Sequence, residues 1–283
     1  MKATPLLCYF LVALTLVSTT VGLFYSTKGE RFSVSNIYGE TIELYGDGIY
    51  RYNSVLKAGG NKGTDLVMLF VALTLAFLTA RRSEDRRSRY IRGGLLAGLL
   101  YYSACLVFGV TFNGLFLVYV LQFSTSLFAL IFLIIDLLRE GHLARVLAGK
   151  RLRGTAIFLL VSGGSVLVWL EFIIPALLSR QPLSTIEVYT TELTFVLDLA
   201  IVLPVYVGCA ISLLRQRVLG YELAPVLLTF ITIIGVTVIG QNVFQSALGV
   251  FIPFRQLLGL VVSFVVLGAI ATFMNTRLLR YVK

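Results

Sequence analysis

The sequence predicts an all-α polytopic membrane protein with about eight transmembrane helices and a small external β-hairpin, and three observations carry that reading. Of 283 residues, 58% are hydrophobic and only 13% charged. The mean hydropathy is +0.90. The apolar residues gather into runs long enough to cross ~30 Å of hydrocarbon, which a soluble domain has no use for.

The runs fall at residues 5–25, 65–80, 93–112, 115–138, 155–178, 191–214, 224–247 and 257–276. The first follows the short basic start of a signal peptide, but its apolar run is about twenty residues long and no A-x-A site follows, so it reads as a retained anchor. The second is short and opens at Asp65, which with Thr64 beside it reads as a helix cap. The third and fourth meet at Asn113 and Gly114, the mark of a tight helical hairpin.

Charge placement gives the orientation. With the N-terminus inside, the inner segments hold Lys2; Arg81, Arg82, Arg86, Arg87, Arg89 and Arg92; Arg139, Arg145, Lys150, Arg151 and Arg153; Arg215 and Arg217; and Arg277, Arg280 and Lys283. That is 17 of the 24 basic residues, and the positive-inside rule then puts both termini in the cytoplasm of a multi-pass cell-membrane protein. The net charge of +10 is thus a topology signal facing anionic lipid, and nucleic acid is not an expected partner.

The segment 26–64 is the only sizeable external part of a single integral domain spanning 1–283. Residues 42–45 and 49–52 are β-prone and flank Gly46-Asp47-Gly48, which predicts a hairpin turning at that triplet. Tyr38, Tyr45, Tyr50 and Tyr52 suit headgroup anchoring or a lid over a site.

The halves 1–153 and 154–283 echo each other, as a four-plus-four parallel repeat would. Asp65-Leu66 in the second span and Asp198-Leu199 in the sixth precede an arginine by a similar distance, Arg81 and Arg215, about four and a half helical turns on. Asn113 and Asn242 follow near the outer end, and Leu137-Leu138-Arg139 matches Leu278-Leu279-Arg280.

Several chemistries are excluded. One histidine, His142, in a basic loop argues against haem held by paired histidines, His-rich metal sites and histidine-dependent hydrolases. All six lysines lie outside the predicted spans, which leaves no buried Schiff base. Cys8, Cys105 and Cys209 sit at unrelated spacings within apolar stretches and read as core residues. No cofactor and no metal site is expected, and no catalytic motif marks an enzyme.

Intramembrane polar residues carry what functional signal there is, because an ionisable side chain in hydrocarbon costs ~2.5–3.5 kcal/mol on insertion scales. Glu171 and Asp198 fall at matched depth, ~10 Å below the outer surface, on consecutive predicted helices. Gln241 and Asn242 reach a similar level on the seventh. Pro175 and Pro204 free the carbonyls of Glu171 and Ala200 beside the two carboxylates, an array of hard oxygens suited to a proton or monovalent cation. A purely structural cluster, with the carboxyls hydrogen-bonded or paired to Arg180 or Arg255, is the competing reading. Asp136 reads as solvated or paired at the inner interface. Tyr101, Tyr102, Gln122, Ser124, Thr125 and Ser126 read as interhelical glue, and Trp169 as a belt or packing residue.

The stretch Leu197-Asp198-Leu199-Ala200-Ile201-Val202-Leu203-Pro204, with Gly220-Tyr221-Glu222-Leu223-Ala224-Pro225, resembles a pattern in a family of multi-spanning prokaryotic integral membrane proteins of uncharacterised activity. Residues 38–46 and 113–119 share in that resemblance. It implies a single integral domain and transfers no function.

The expectation is a small secondary transporter, or transport-associated protein, with an outward-facing carboxylate site of Glu171, Asp198, Gln241 and Asn242 for a proton or cation. The alternative is a membrane-anchored sensory or partner-binding module using the 26–64 segment. An intramembrane lipid-modifying enzyme is a third class that no motif favours.

Overall fold

A computed structural model of the protein describes residues 3–81, 85–183, 185–251, 253–254 and 257–282. Lys2, Arg82, Arg255 and Lys283, named above as topology signals or as a rim partner, lie outside the described residues. The chain forms α1 (Ala3–Phe24), β1 (Phe32–Ser35), β2 (Thr41–Leu44), a 3₁₀ turn (Gly48–Tyr50), α2 (Val55–Ala80), α3 (Arg86–Gly109), α4 (Phe116–Glu140) and α5 (His142–Val146). It continues through α6 (Arg153–Ser165), α7 (Leu170–Ser179), α8 (Leu193–Leu197), α9 (Leu203–Leu214), α10 (Val218–Ala247) and α11 (Ser263–Leu279).

Among the described residues, eight helical stretches are long and apolar enough to cross a membrane. Several are irregular: α6 and α7 join through a 3₁₀ turn at Val166–Trp169, α8 and α9 through a π-helical turn at Asp198–Val202, α4 and α5 meet at Gly141, and the last span opens with a π-helical segment at Leu257–Val262 before α11. Large apolar side chains such as Leu6, Phe70, Leu117, Ile157 and Val243 point outward from the bundle as well as inward, the pattern of helices that are hydrophobic all round.

The most buried span, α10, packs against α2, α3, α9 and α11, while α1 packs on α2 and α4, and α6 on α9. Small residues permit these contacts, since association between apolar helices rests on close packing. At the α2–α10 crossing a Cβ on Gly63 would stand 2.3 Å from the carbonyl oxygen of Gly240, so only glycine fits there. At the α10–α11 crossing a Cβ on Gly235 would lie 2.9 Å from the carbonyl oxygen of Phe264.

Two local readings are corrected. The second span starts at Val55, ten residues before the expected opening, and its cap is Ser54, whose hydroxyl accepts from the amide of Lys57. Asp65 therefore caps nothing: it lies inside α2, fully buried. Gly59, Gly60, Asn61 and Lys62 dilute the hydropathy of the first turns and hid them.

The hairpin exists one element earlier than its sequence signal. β1 pairs antiparallel with β2, Phe32 opposite Leu44 and Ser35 opposite Thr41. The turn is made by Asn36, whose side-chain oxygen accepts from the amides of Tyr38 and Glu40, with Gly39 at φ +83°. Asp47 is instead spent on the start of the segment, accepting from the hydroxyl of Ser26 and from the amide and hydroxyl of Thr27. Residues 49–52 consequently form no strand, and Tyr50 turns inward, fully buried, while Tyr38 and Tyr52 stay exposed.

At the opposite end of the bundle Glu222, in the second turn of α10, is fully buried and accepts from the hydroxyl of Tyr90 at 2.5 Å and the amide of Ala144 at 3.0 Å. It thereby ties α10 to α3 and to the first turn of α5.

Candidate functional site

Helix irregularity builds the site. Proline at 204 has no amide proton and its ring crowds the carbonyl four residues back, and the turn just before it widens to π geometry, with the amide of Leu203 donating to the carbonyl of Asp198. Asp198 is the first residue of that turn. On the neighbouring span the 3₁₀ turn Val166–Trp169 tightens the chain and ends on Trp169.

These two departures from α-geometry meet. The indole nitrogen of Trp169 donates to Oδ2 of Asp198 at 2.8 Å, and the hydroxyl of Tyr101 on α3 donates to Oδ1 at 2.9 Å. Asp198 is 7% exposed. Among the described residues no ion pair reaches it, so its two hydrogen-bond partners are neutral. Each carboxylate oxygen can accept two hydrogen bonds and here accepts one, which leaves acceptor capacity on both.

Asp198 lines a cavity of about 400 Å³. The α10 residues on its wall run from Phe230 to Gln245, about 22 Å along the helix at 1.5 Å per residue. Near the hairpin end the lining is polar, with Lys57, Asn61, Glu192, Gln241 and Asn242, and deeper it is apolar, with Met68, Val202, Tyr206 and Phe230. Lys57 and Glu192 form an ion pair of 2.6 Å in which Glu192 is only 4% exposed.

Part of the polar lining lacks partners. Among the described residues Glu192 Oε1, Ser162 Oγ and Asn242 Nδ2 are buried and make no hydrogen bond, and all three residues face the cavity. Buried polar atoms are rarely left this way, because each orphan costs about 1–3 kcal/mol. A bound molecule or water would satisfy them.

Thr185, Tyr189, Thr191 and Glu192 line the cavity on the hairpin side, and residues 185–192 are fastened to the 26–64 segment. Ser54 donates to the carboxylate of Glu187, Asn36 to the carbonyl of Glu187, and the hydroxyl of Tyr189 to Asn53 at 3.1 Å. Burial pushes the Glu187 carboxyl above its usual range, against the Ser54 hydrogen bond and the Lys57 charge, with Glu192 adding to the rise. Burial likewise raises the Tyr189 phenol.

The four residues singled out from the sequence have different placements. Asp198, Gln241 and Asn242 share the cavity wall. Gln241 is partly engaged, its amide donating to Thr64 at 2.9 Å and so stitching α10 to α2. Glu171 is not brought to them: it is exposed on α7 and absent from the lining. Matched depth on two helices says nothing of azimuth, and the turn of Val166–Trp169 presents Trp169 and Phe172 to the cavity instead.

Sequence reasoning missed three partners. In sequence Trp169 reads as a belt or packing residue and Tyr101 as interhelical glue, and nothing marks Glu192. A tryptophan near the depth of an intramembrane aspartate was an available signal for the first. Nothing in sequence pairs Lys57 with Glu192 across 135 positions.

Another buried carboxylate is likewise held by two aromatic donors. Asp65 accepts from Tyr50 at 2.8 Å and from Tyr102 at 2.6 Å. Gly22 on α1 makes room for it, since a Cβ there would stand 1.9 Å from its Oδ2. Lys62 bonds the carbonyls of Gly22 and Leu23 at the end of α1. Among the described residues no group of three or more His, Cys, Asp or Glu could hold a metal ion.

The chain matches no protein-family model, no curated protein and no solved structure.

Proposed function

We propose that this is a multi-pass protein of the cell membrane, both termini cytoplasmic, acting as a small secondary transporter whose solute and coupling proton or cation meet at Asp198. The observation that carries the reading is a carboxylate on a π-helical turn, 7% exposed, held by two neutral donors on the wall of a 400 Å³ cavity. A buried carboxylate without a cationic partner is stable only protonated or with a cation supplied from outside. Irregular helical backbone at a polar cavity is a recurrent build of transporter sites.

Asn242, Ser162 and Glu192 supply unspent hydrogen-bonding atoms for a solute. Gln241 keeps a place on the wall, and Glu171, exposed and outside the lining, is given no role in this reading. The basic clusters at the end away from the hairpin support the orientation. The repeat of 1–153 on 154–283 draws support from the two aspartates, each buried and each accepting from two aromatic donors.

The test is solute-driven proton movement in proteoliposomes carrying an internal pH dye. Imposed gradients from a panel of cationic, neutral and anionic metabolites should move protons for at least one solute, and Asp198→Asn should abolish that movement. Equal movement in wild type and variant removes Asp198 from the mechanism. No coupled movement with any solute removes coupled transport.

A further inference from the structure

The cavity's chemistry is narrower than a general solute site. Among the described residues, one amino side chain and two carboxyl side chains line it: Lys57, Glu192 and Asp198. The first two are paired at 2.6 Å and cancel, which leaves a single negative charge in the lining, at Asp198 when it is ionised. A cation compensates that charge and an anion meets repulsion in a low-dielectric wall.

What surrounds the carboxylate decides which kind of cation. Its two partners are hydrogen-bond donors, an indole N–H and a phenol O–H, and an indole nitrogen cannot ligate a metal ion. Alkali and alkaline-earth ions need several oxygen ligands to replace their water, and this corner of the cavity offers few. It offers ring faces. Trp169 stacks on Phe195 with centroids 4.6 Å apart and planes at 20°, and Phe172 lies 6.0 Å from Phe195. Tyr101, which also holds Asp198, packs on Phe230 at 5.8 Å, and Tyr206 packs on the same ring at 6.5 Å. All six rings line the cavity. A carboxylate set among aromatic rings suits an organic ammonium, whose charge is spread, weakly hydrated and attracted to ring quadrupoles.

Resting on the reading of the cavity as a solute site, we infer that its ligand is a monovalent organic ammonium bearing an apolar or aromatic group. The ammonium sits against Asp198 between the rings, and the apolar group fills the space toward Met68, Val202 and Ile234. The unspent atoms of Glu192, Ser162 and Asn242 then bind polar substituents on the side of the hairpin. At about 400 Å³ the cavity falls within the range of small-molecule sites.

Trp169 is the sole tryptophan of the chain, so its fluorescence reports on this wall alone. Purified protein in detergent is titrated with phenethylammonium, and in parallel with 2-phenylethanol and phenylacetate, which keep the ring and change the charge. The expected result is a saturable change with the ammonium, at least tenfold tighter than with either of the others. In Asp198→Asn the preference for the ammonium over the alcohol should vanish. Because the wild-type charge series needs no variant, a folding defect in Asp198→Asn does not blunt the test. Equal or tighter binding of the alcohol or the carboxylate, or no saturable change with the ammonium, overturns the inference. The two proposals fail separately: an ammonium that binds but crosses no proteoliposome membrane removes transport and keeps the site. Coupled flux of a neutral or anionic solute by protein that does not bind the ammonium removes the site's assignment and keeps transport.

Discussion

Tyr101 and Tyr102 are consecutive on α3 yet donate to different buried aspartates, Tyr101 to Asp198 at 2.9 Å and Tyr102 to Asp65 at 2.6 Å. Neighbours on an α-helix project about 100° apart, so the pair faces two helices at once. One dipeptide thus holds both carboxylates, one on the cavity and one in the packed interior. Their phenylalanine variants should separate the roles. Tyr102→Phe strips a donor from a fully buried carboxylate and should lower stability by about 1–2 kcal/mol, read as thermal unfolding in detergent. Tyr101→Phe should leave stability closer to wild type and change ligand affinity at the cavity. A reversed pattern would exchange the two assignments.

Gly22 should tolerate no side chain. Alanine there drives a methyl into Oδ2 of Asp65, where the Cβ would stand 1.9 Å away, and should destabilise the α1–α2 contact by about 1–3 kcal/mol. Gly63→Ala at the crossing with Gly240 should cost a similar amount, because the obstacle is backbone and cannot rotate away. Unfolding temperatures equal to wild type in both variants would show looser helix contacts than these distances describe.

Breaking the ion pair should reveal its setting. Lys57→Met leaves the Glu192 carboxylate buried and unpaired, a loss of about 1–3 kcal/mol once the partial exposure of Lys57 is allowed for. Adding Glu192→Gln to it should restore most of that loss. If the double variant is no more stable than the single one, the pair is not what holds Lys57 and Glu192 in place.

The 26–64 segment and the 185–192 stretch bonded to it should show opposed pH responses. Burial pulls the Asp47 carboxyl up, but hydrogen bonds from Ser26, Thr27 and Gly29 outweigh it and hold the carboxyl below its usual range. A depressed folded value means stability that is present above about pH 4 and lost as pH falls through the folded value. Glu187 runs the other way. Its raised value means stability that is present below the ordinary carboxylate range and lost as pH rises through the folded value. Hydrogen exchange of residues 185–192 should therefore speed up as pH rises, after correction for intrinsic exchange, and Glu187→Gln should flatten that rise. Asp47→Ala should remove the acid limb at residues 26–48.

Legibility in the sequence followed the kind of physics involved. Spans longer than a bilayer is thick are a matter of local composition, and the eight apolar stretches were readable one by one. The hairpin was legible as an element but not in register, because Asn36 and Asp47 are both turn-formers and only the fold shows Asp47 bonded back to Ser26 and Thr27. Asp198 stood out as a charge in hydrocarbon beside a proline, a cost visible without coordinates. Glu171 stood out equally and lies elsewhere, since depth follows from counting residues while azimuth follows from the 3₁₀ and π turns.

The sequence by itself determined that the chain is built of long apolar helices, that its basic residues gather between particular spans, and that Asp198 needs an explanation. These follow from one residue at a time and the cost of moving it out of water. Only the tertiary structure decided that Trp169 and Tyr101 hold Asp198, that Lys57 and Glu192 cancel, and that Asp65 is an interior acceptor rather than a cap. Those facts depend on which helix faces meet, and helices that are apolar on every side carry no periodic mark of the face they bury.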